Sequence, residues 1–388
     1  LAALNIDRLK SPHIVMLGGG SGCRNINLAL SRTPARLTRI VPAWDSGGSS
    51  RAIRETLGIL PVGDIRQALM TMAHGEKCAG NVVRMCNARL SEAADKRQLR
   101  TEFDFLADCR HSLLKTEPAP LSNAITRYLD VFRSRLPEDF DLGNGSVGNF
   151  ILAGAYLAHD KDINAAISIF KGMCGIEGNV WPIAVASDVH LSARLSDGRV
   201  LDRQHLITTL TPSEPPAWIE DIWLTRASDS TVSANVEGNG PAIEAIHTAD
   251  IILYGPGSLF SSLLPHLLVN GVVEAISANS RAKKIFVGNI TDCAETRGMT
   301  LEAQLSTVLR LARTRSSGIV LTHVLSNRNF FPFPKRVGKF SYLQSGSLEE
   351  MCGAQGISVV SGDFEDLWRR GTHDGEAVAR DLSKLAAC

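Results

Sequence analysis

Apolar and polar positions along the chain follow two rhythms, and both appear within the first fifty residues. His13–Leu17 (HIVML) is an unbroken apolar run closed by glycines, the pattern of a strand buried on both faces of a parallel sheet. Residues 25–31 (NINLALS) carry apolar side chains at helical spacing, Pro34 follows, and residues 39–44 (RIVPAW) form a second apolar run that ends at Asp45. Strand, glycine turn, helix and strand make a βαβ unit. Its crossover is right-handed, and its ligands sit at the carboxyl ends of the strands.

From residue 63 to about residue 142 the period turns helical, with helices predicted over 65–73, 81–93 and 124–136. Charges crowd residues 92–110, which reads as a solvated helical face rather than a binding patch. Residues 74–142 therefore read as a helical insertion over the sheet. Helices follow over 150–159 and 162–173, then strands over 180–186 and 189–195. The turn Ser196-Asp197-Gly198-Arg199 leads into residues 200–207 as a hairpin would, which predicts a small antiparallel β subregion.

Beyond the turn-rich stretch 212–216, strands are predicted over 222–226, Ile251–Tyr254, 284–287 and 318–323, the last ending at His323. Helices are predicted over 241–247, 259–268 and Leu301–Arg313; the apolar segment 259–268 belongs either to the core or to an interface. A C-terminal extension, residues 327–388, holds the loop FFPFP (330–334) and a helix over 375–385. The expected fold is a single α/β domain over residues 1–388, a Rossmann-like and mostly parallel sheet with the helical insertion and the antiparallel subregion.

Composition narrows the partners. With 44% hydrophobic and 21% charged residues and a net charge of +1, nothing global draws the chain to nucleic acid or to an anionic membrane. Any affinity for anions must be local. The eight cysteines are scattered without a C-x-x-C pair, which argues against a disulfide framework and a thiolate zinc site and for a reducing compartment. No signal-peptide pattern and no uninterrupted apolar stretch of ~18 residues is visible. A cytoplasmic location and a small-molecule nucleotide partner are expected; a homo-oligomer stays open.

The candidate chemistry lies where strands open into glycines. Gly18, Gly19, Gly20, Ser21 and Gly22 follow the first strand and precede a helix, so a phosphate can approach bare backbone N–H groups there. The turn lacks the G-K-[ST] of a P-loop, and Cys23 stands where the third glycine of a dinucleotide fingerprint would be. Asp45 ends the next strand, followed by Ser46, Gly47, Gly48, Ser49 and Ser50; the serines are either phosphate or ribose donors or helix caps. Arg51 and Arg54 are either phosphate ligands or surface residues. Asp64, in Gly63-Asp64-Ile65-Arg66, is either a helix cap or a Mg²⁺ ligand. Asn149 closes GNGSVGN at a helix entrance, and Gly255, Pro256, Gly257 and Ser258 repeat the strand-to-glycine turn. Asn289 follows another strand in Gly288-Asn289-Ile290-Thr291, with Glu295, Thr296 and Gly298 behind it.

Taken in order from Ile14 to His323, these blocks resemble the superfamily of 2-phospho-L-lactate transferase (CofD-like) and gluconeogenesis factor (YvcK-type) proteins. The blocks are GGGSG, D-x-GGSS with R-x-x-R, PVGDIR, S-x-GN-x-x-LA, IEGNVWPIA, ADIILYGPGSLFSSLLP and KIFVGNITDCAETRG, and they stand nearer the gluconeogenesis-factor type. The resemblance implies a nucleotide crossing the 18–22 and 255–258 turns. In the transferases a phosphate-bearing group passes from a guanosine diphosphate-linked lactate to a deazaflavin with Mg²⁺. In the gluconeogenesis factors the ligand is a UDP-sugar, and the role is regulatory in carbon metabolism and cell-envelope synthesis. Asp45 matches the first acidic residue of the family's paired aspartates and is the expected catalytic and metal residue; the second position is Ser46 here.

Three readings follow. A nucleotide-sugar-binding regulator fits the motifs and the missing second carboxylate. A Mg²⁺-dependent transferase would rest on Asp45 and Asp64 with arginines stabilising charge. An NAD-binding protein would use Asp45 at the ribose-reading position.

Overall fold

The computed structural model describes residues 11–20, 22–214, 216–226, 232–328 and 336–387. Ser21 and the FFPFP loop lie outside the described residues. Strand β1 (His13–Leu17) is fully buried and pairs in parallel with β2 (Arg36–Val41) on one side. The strand predicted over 39–44 thus begins earlier and stops at Val41, because Pro42 has no N–H to donate to a ladder. Beyond β2 lies β3 (Asn179–Pro182), shorter than the 180–186 prediction.

The antiparallel subregion is a three-stranded sheet in the order β5, β4, β6, with β4 at Val189–Leu195, β5 at Val200–Leu201 and β6 at Ile219–Arg226. The strand predicted over 200–207 is only these two residues of β5. On the other side of β1 lie β7 (Ile251–Tyr254), β8 (Lys283–Val287) and β9 (His323–Asn327), all parallel. A small hairpin, β10 (Arg336–Val337) with β11 (Phe340–Ser341), precedes β12 (Ser358–Gly362), which pairs in parallel with β9.

The central sheet therefore runs β12-β9-β8-β7-β1-β2-β3, with every pairing parallel. The chain winds outward from β1 to β3 and then restarts on the opposite side at β7. Strand order reverses between β1 and β7, which opens a crevice at their carboxyl ends. Both glycine turns lie at that crevice.

Helix α1 (Arg24–Leu30) follows β1, α2 (Gly48–Leu57) follows β2, and α3 (Gly63–Met72) leads into the helical insertion. The insertion consists of α4 (Gly80–Asn87), α5 (Lys96–Ala107), α6 (Ser112–Lys115) and α7 (Ala119–Arg133). It is anchored on α8 (Val147–Ala158) by aromatic packing: the Phe132 and Phe150 rings stack at 4.8 Å, and Phe103 meets Phe150 edge-on at 5.5 Å. Helix α9 is Ile163–Cys174, and α10 (Gln204–Thr208) occupies sequence predicted as strand. One contiguous core runs from Ile14 to Leu382.

Two further predictions need correction. Residues 259–268 form a π turn (Leu259–Leu263) and then a 3-10 turn (Leu264–Leu268) instead of a regular helix, since Pro265 breaks the i→i−4 ladder. Leu259, Leu263, Leu264 and Leu267 are buried, which assigns the segment to the core. His323 begins β9 instead of ending a strand. The stretch before it stays a loop because Tyr254 Oη donates to the Val320 carbonyl at 2.8 Å and Lys284 Nζ donates to that of Ile319 at 2.8 Å.

Candidate functional site

The two glycine turns touch. A Cβ on Gly22 would lie 3.0 Å from Gly257 Cα and 3.3 Å from the Pro256 carbonyl oxygen, so only glycine lets the turns approach this closely. Cys23 Sγ donates to the same Pro256 carbonyl at 2.9 Å. The Gly255–Pro256 peptide is cis. Beneath the first turn the fully buried Arg39 donates to the Gly18 carbonyl at 2.7 Å, placing a cation below the loop. The second turn is held by Asn289, whose side-chain amide donates to the Gly257 carbonyl at 2.9 Å and accepts the Gly257 N–H at 3.0 Å.

These parts enclose a cleft of about 560 Å³, within the size range of small-ligand sites. Of the residues singled out in the sequence, Gly19, Gly20, Gly22, Asp64, Pro256, Gly257, Ser258 and Asn289 line it. A cavity of about 770 Å³ opens at the opposite, amino end of the sheet around His13 and Arg36, away from both turns. The smaller cleft is the functional candidate because ligands of such sheets bind at the carboxyl ends.

Asp64 joins the cleft from the first turn of α3, and its Oδ1 accepts the Gly20 N–H at 3.1 Å. Burial and the neighbouring Asp45 carboxylate push its pKa up to about 7, against smaller opposing effects from the Gly20 hydrogen bond, Arg39 and Arg66. Asp45 stands one layer behind. Burial raises its pKa, offset in part by hydrogen bonds from the Gly47 N–H and Ser50 and by the Arg54 charge. A Cβ on Gly63 would lie 2.7 Å from Asp45 Oδ2, so the glycine leaves the room that this carboxylate fills. Asp45 and Asp64, each half-buried, thus form a like-charged pair. Ser46 stands where the resemblance leads one to expect a second aspartate, yet a second carboxylate neighbours Asp45 from α3.

Several sequence candidates support the site from behind instead of lining it. Ser50 Oγ accepts the Gly63 N–H at 3.2 Å. Asn149 is buried; its amide donates to Ser49 Oγ at 3.1 Å, and its carbonyl accepts from Arg66 Nε at 3.1 Å. Arg54, expected at a phosphate, donates instead to the carbonyls of Ser187, at 2.9 Å, and Val189. Its guanidinium pins the start of β4 because it lies buried beneath that strand. Ser46 Oγ accepts the His205 N–H at 2.9 Å and starts α10, which accounts for the helix where a strand was predicted. Ser258 lines the cleft, but the amides of Phe260 and Ser261 just beyond it each donate to Glu295 Oε2 at 3.0 Å. The anion at that helix entrance is therefore the protein's own.

Pattern reading missed Arg24, Gln204, Thr208, Arg369 and Thr372, which also line the cleft. Arg24 opens the helix one residue past the glycine turn and was open to inference. Arg369 and Thr372 carried no signal, because β12 and the segment after it return the chain to the cleft only in three dimensions.

As to metals, no cluster of three or more His, Cys, Asp or Glu occurs among the described residues. Two neighbouring carboxylates, one of them on the cleft wall, nonetheless suit Mg²⁺, which binds through one or two carboxylates and keeps several waters. No helix among the described residues is long and apolar enough to cross a membrane.

Comparison with known proteins gives a consistent result. The sequence model of the family described as 2-phospho-L-lactate transferase CofD matches residues 14–364. The gluconeogenesis factor of Listeria innocua is 29% identical over 286 residues, covering 74% of this chain and 69% of that protein. The putative gluconeogenesis factor of Lactococcus lactis is 28% identical over 387 residues, 97% of this chain and 98% of its own. A crystal structure of a UPF0052-family protein from Bacillus halodurans shares the fold, with a TM-score of 0.72 at 23% identity over 97% of this chain and all of that one.

Proposed function

Because this chain belongs to the 2-phospho-L-lactate transferase CofD family, we propose that it binds a nucleotide of the nucleotide-sugar class, a UDP-sugar in the first instance. We propose a regulatory role in carbon metabolism or cell-envelope synthesis, in the cytoplasm. The observation that carries the binding part is the meeting of two strand-to-glycine turns across the β1/β7 crevice, with Asn289 fixing one and Arg39 lying under the other. Bare backbone in such a turn seats a diphosphate by N–H donation. Relatives named gluconeogenesis factor support the regulatory part. Asp45 lies behind Gly63 and away from the cleft lining, which disfavours the ribose-reading role that NAD binding would require.

One observation favours a second reading, Mg²⁺-dependent transfer of a phosphorus-containing group: the carboxylate pair. Asp64, which lines the cleft, would hold the ion with Asp45 behind it, and bound Mg²⁺ would neutralise charge on the transferring group. Asp64, with its pKa near neutrality, suits a proton acceptor for an attacking hydroxyl.

Isothermal titration of the full chain with UDP-GlcNAc and with GDP, each with and without Mg²⁺, tests both readings. UDP-GlcNAc binding that ignores Mg²⁺ is expected. Binding of GDP alone, and only with Mg²⁺, would replace the regulator by the transferase. Binding of neither would remove the nucleotide reading.

A further inference from the structure

Behind the nucleotide cleft, across α1 from the glycine turn, lies a separate cavity of about 600 Å³. It opens between α1, α3 and the end of α4, and its wall carries Arg24, Arg66 and Arg89 with no aspartate or glutamate. Where carboxylates are within reach an arginine of this protein takes them: Arg133 alone pairs with Asp104, Asp108 and Asp130. Among the described residues, none of Arg24, Arg66 and Arg89 forms an ion pair within 4.0 Å.

Two of the three are held in place by neutral acceptors. Arg66 Nε donates to Asn149 Oδ1 at 3.1 Å, and Arg89 Nη1 donates to the Asn144 carbonyl at 2.8 Å. Each therefore keeps guanidinium edges for another acceptor. The Arg66 pKa is lowered by burial and then by the Arg89 charge, against smaller opposing effects from Cys86 and from Asp64 on the cleft side. Gln67, Thr71 and Asn87 add uncharged polar groups to the wall. Three guanidinium groups on a wall that itself carries no carboxylate match an oxyanion that accepts several hydrogen bonds at once.

We propose that this cavity is a second anion site, which takes the phosphate group of a small phosphorylated metabolite independently of the nucleotide. Arg24 borders both this cavity and the nucleotide cleft, so the two sites share one wall. The helical insertion contributes Asn87 and Arg89 to a wall otherwise built mainly by α1 and α3.

The test is titration of the full chain with inorganic pyrophosphate at fixed ionic strength, with and without saturating UDP-GlcNAc. Saturable binding is expected in both conditions. Arg89→Gln should weaken it about tenfold or more, the size of one lost charge-assisted hydrogen bond, while leaving UDP-GlcNAc affinity at the wild-type value. Should Arg89→Gln disturb the Asn144 loop, as a lowered thermal midpoint would reveal, Asn87→Asp, which sets a negative charge in this wall and away from the nucleotide cleft, decides by the same criterion. Wild-type affinity in the deciding variant overturns the proposal, as does equal competition by citrate, which would mark general charge attraction. A wild-type chain that binds pyrophosphate but no nucleotide would sink the nucleotide reading and leave this site standing.

Discussion

The Gly20 N–H donates to Asp64 Oδ1 at 3.1 Å, so the first glycine turn is tied to a carboxylate whose pKa has moved up to about 7. The sign of the linkage follows from the direction of the shift. A carboxyl whose folded pKa exceeds its unfolded value of ~3.9 binds more protons in the folded state between the two, so stability falls as pH rises through that window. Asp64→Asn should therefore stabilise the ligand-free chain by roughly 1–3 kcal/mol at about pH 8 and by almost nothing at about pH 4. Thermal unfolding of both proteins across that range checks it. A stabilisation independent of pH would mean that Asp64 carries no charge penalty.

If the carboxylate pair holds Mg²⁺, the ion removes the same penalty. Millimolar Mg²⁺ should then raise the midpoint of the wild-type chain at about pH 8 more than at about pH 5, because only ionised carboxylates attract it. Asp64→Asn should abolish that difference. An equal rise at both pH values would place any bound ion elsewhere.

Asn289 holds the second glycine turn through both faces of the Gly257 peptide. Asn289→Ala removes both hydrogen bonds and should cost about 1–3 kcal/mol of stability. It should weaken nucleotide affinity further than that loss alone would, since Gly257 lines the cleft. Asn289→Asp keeps the acceptor and loses the donor, so its affinity should fall between the two. Titration of the three proteins with UDP-GlcNAc gives the order.

Much of the central sheet was legible because fully buried parallel strands write themselves as unbroken apolar runs: β1 and β7 were read to the residue. Strand β12 was not, because SVVSG is short and only partly buried. The glycine turns and Asn289 were legible because each follows such a strand. Arg54 looked like a phosphate ligand because a helical arginine near glycines carries the same pattern whether it faces a cleft or a buried strand. Only the carbonyls of Ser187 and Val189, more than 130 positions away in sequence, distinguish the two. Ser46 likewise reads as a lost carboxylate. In space it starts α10, while Asp64 supplies the acidic neighbour of Asp45.

Glu295 gives the last prediction. Its buried carboxylate accepts from the Phe260 and Ser261 amides at 3.0 Å each and from Ser261 Oγ, closing the helix entrance beyond the 255–258 turn. Sequence alone marked that entrance as a seat for a ligand anion; the structure fills it internally. Glu295→Ala leaves three buried donors without partners and should destabilise the chain by roughly 2–4 kcal/mol. The vacated space is carboxylate-shaped, so formate or acetate should raise the midpoint of Glu295→Ala more than that of the wild type, by binding the folded state alone. Glu295→Gln keeps one acceptor for the two amides and should lose less stability than the alanine variant, with no response to formate. If formate raised all three midpoints equally, the carboxylate would not be what organises this turn, and the entrance would again be open to an external anion.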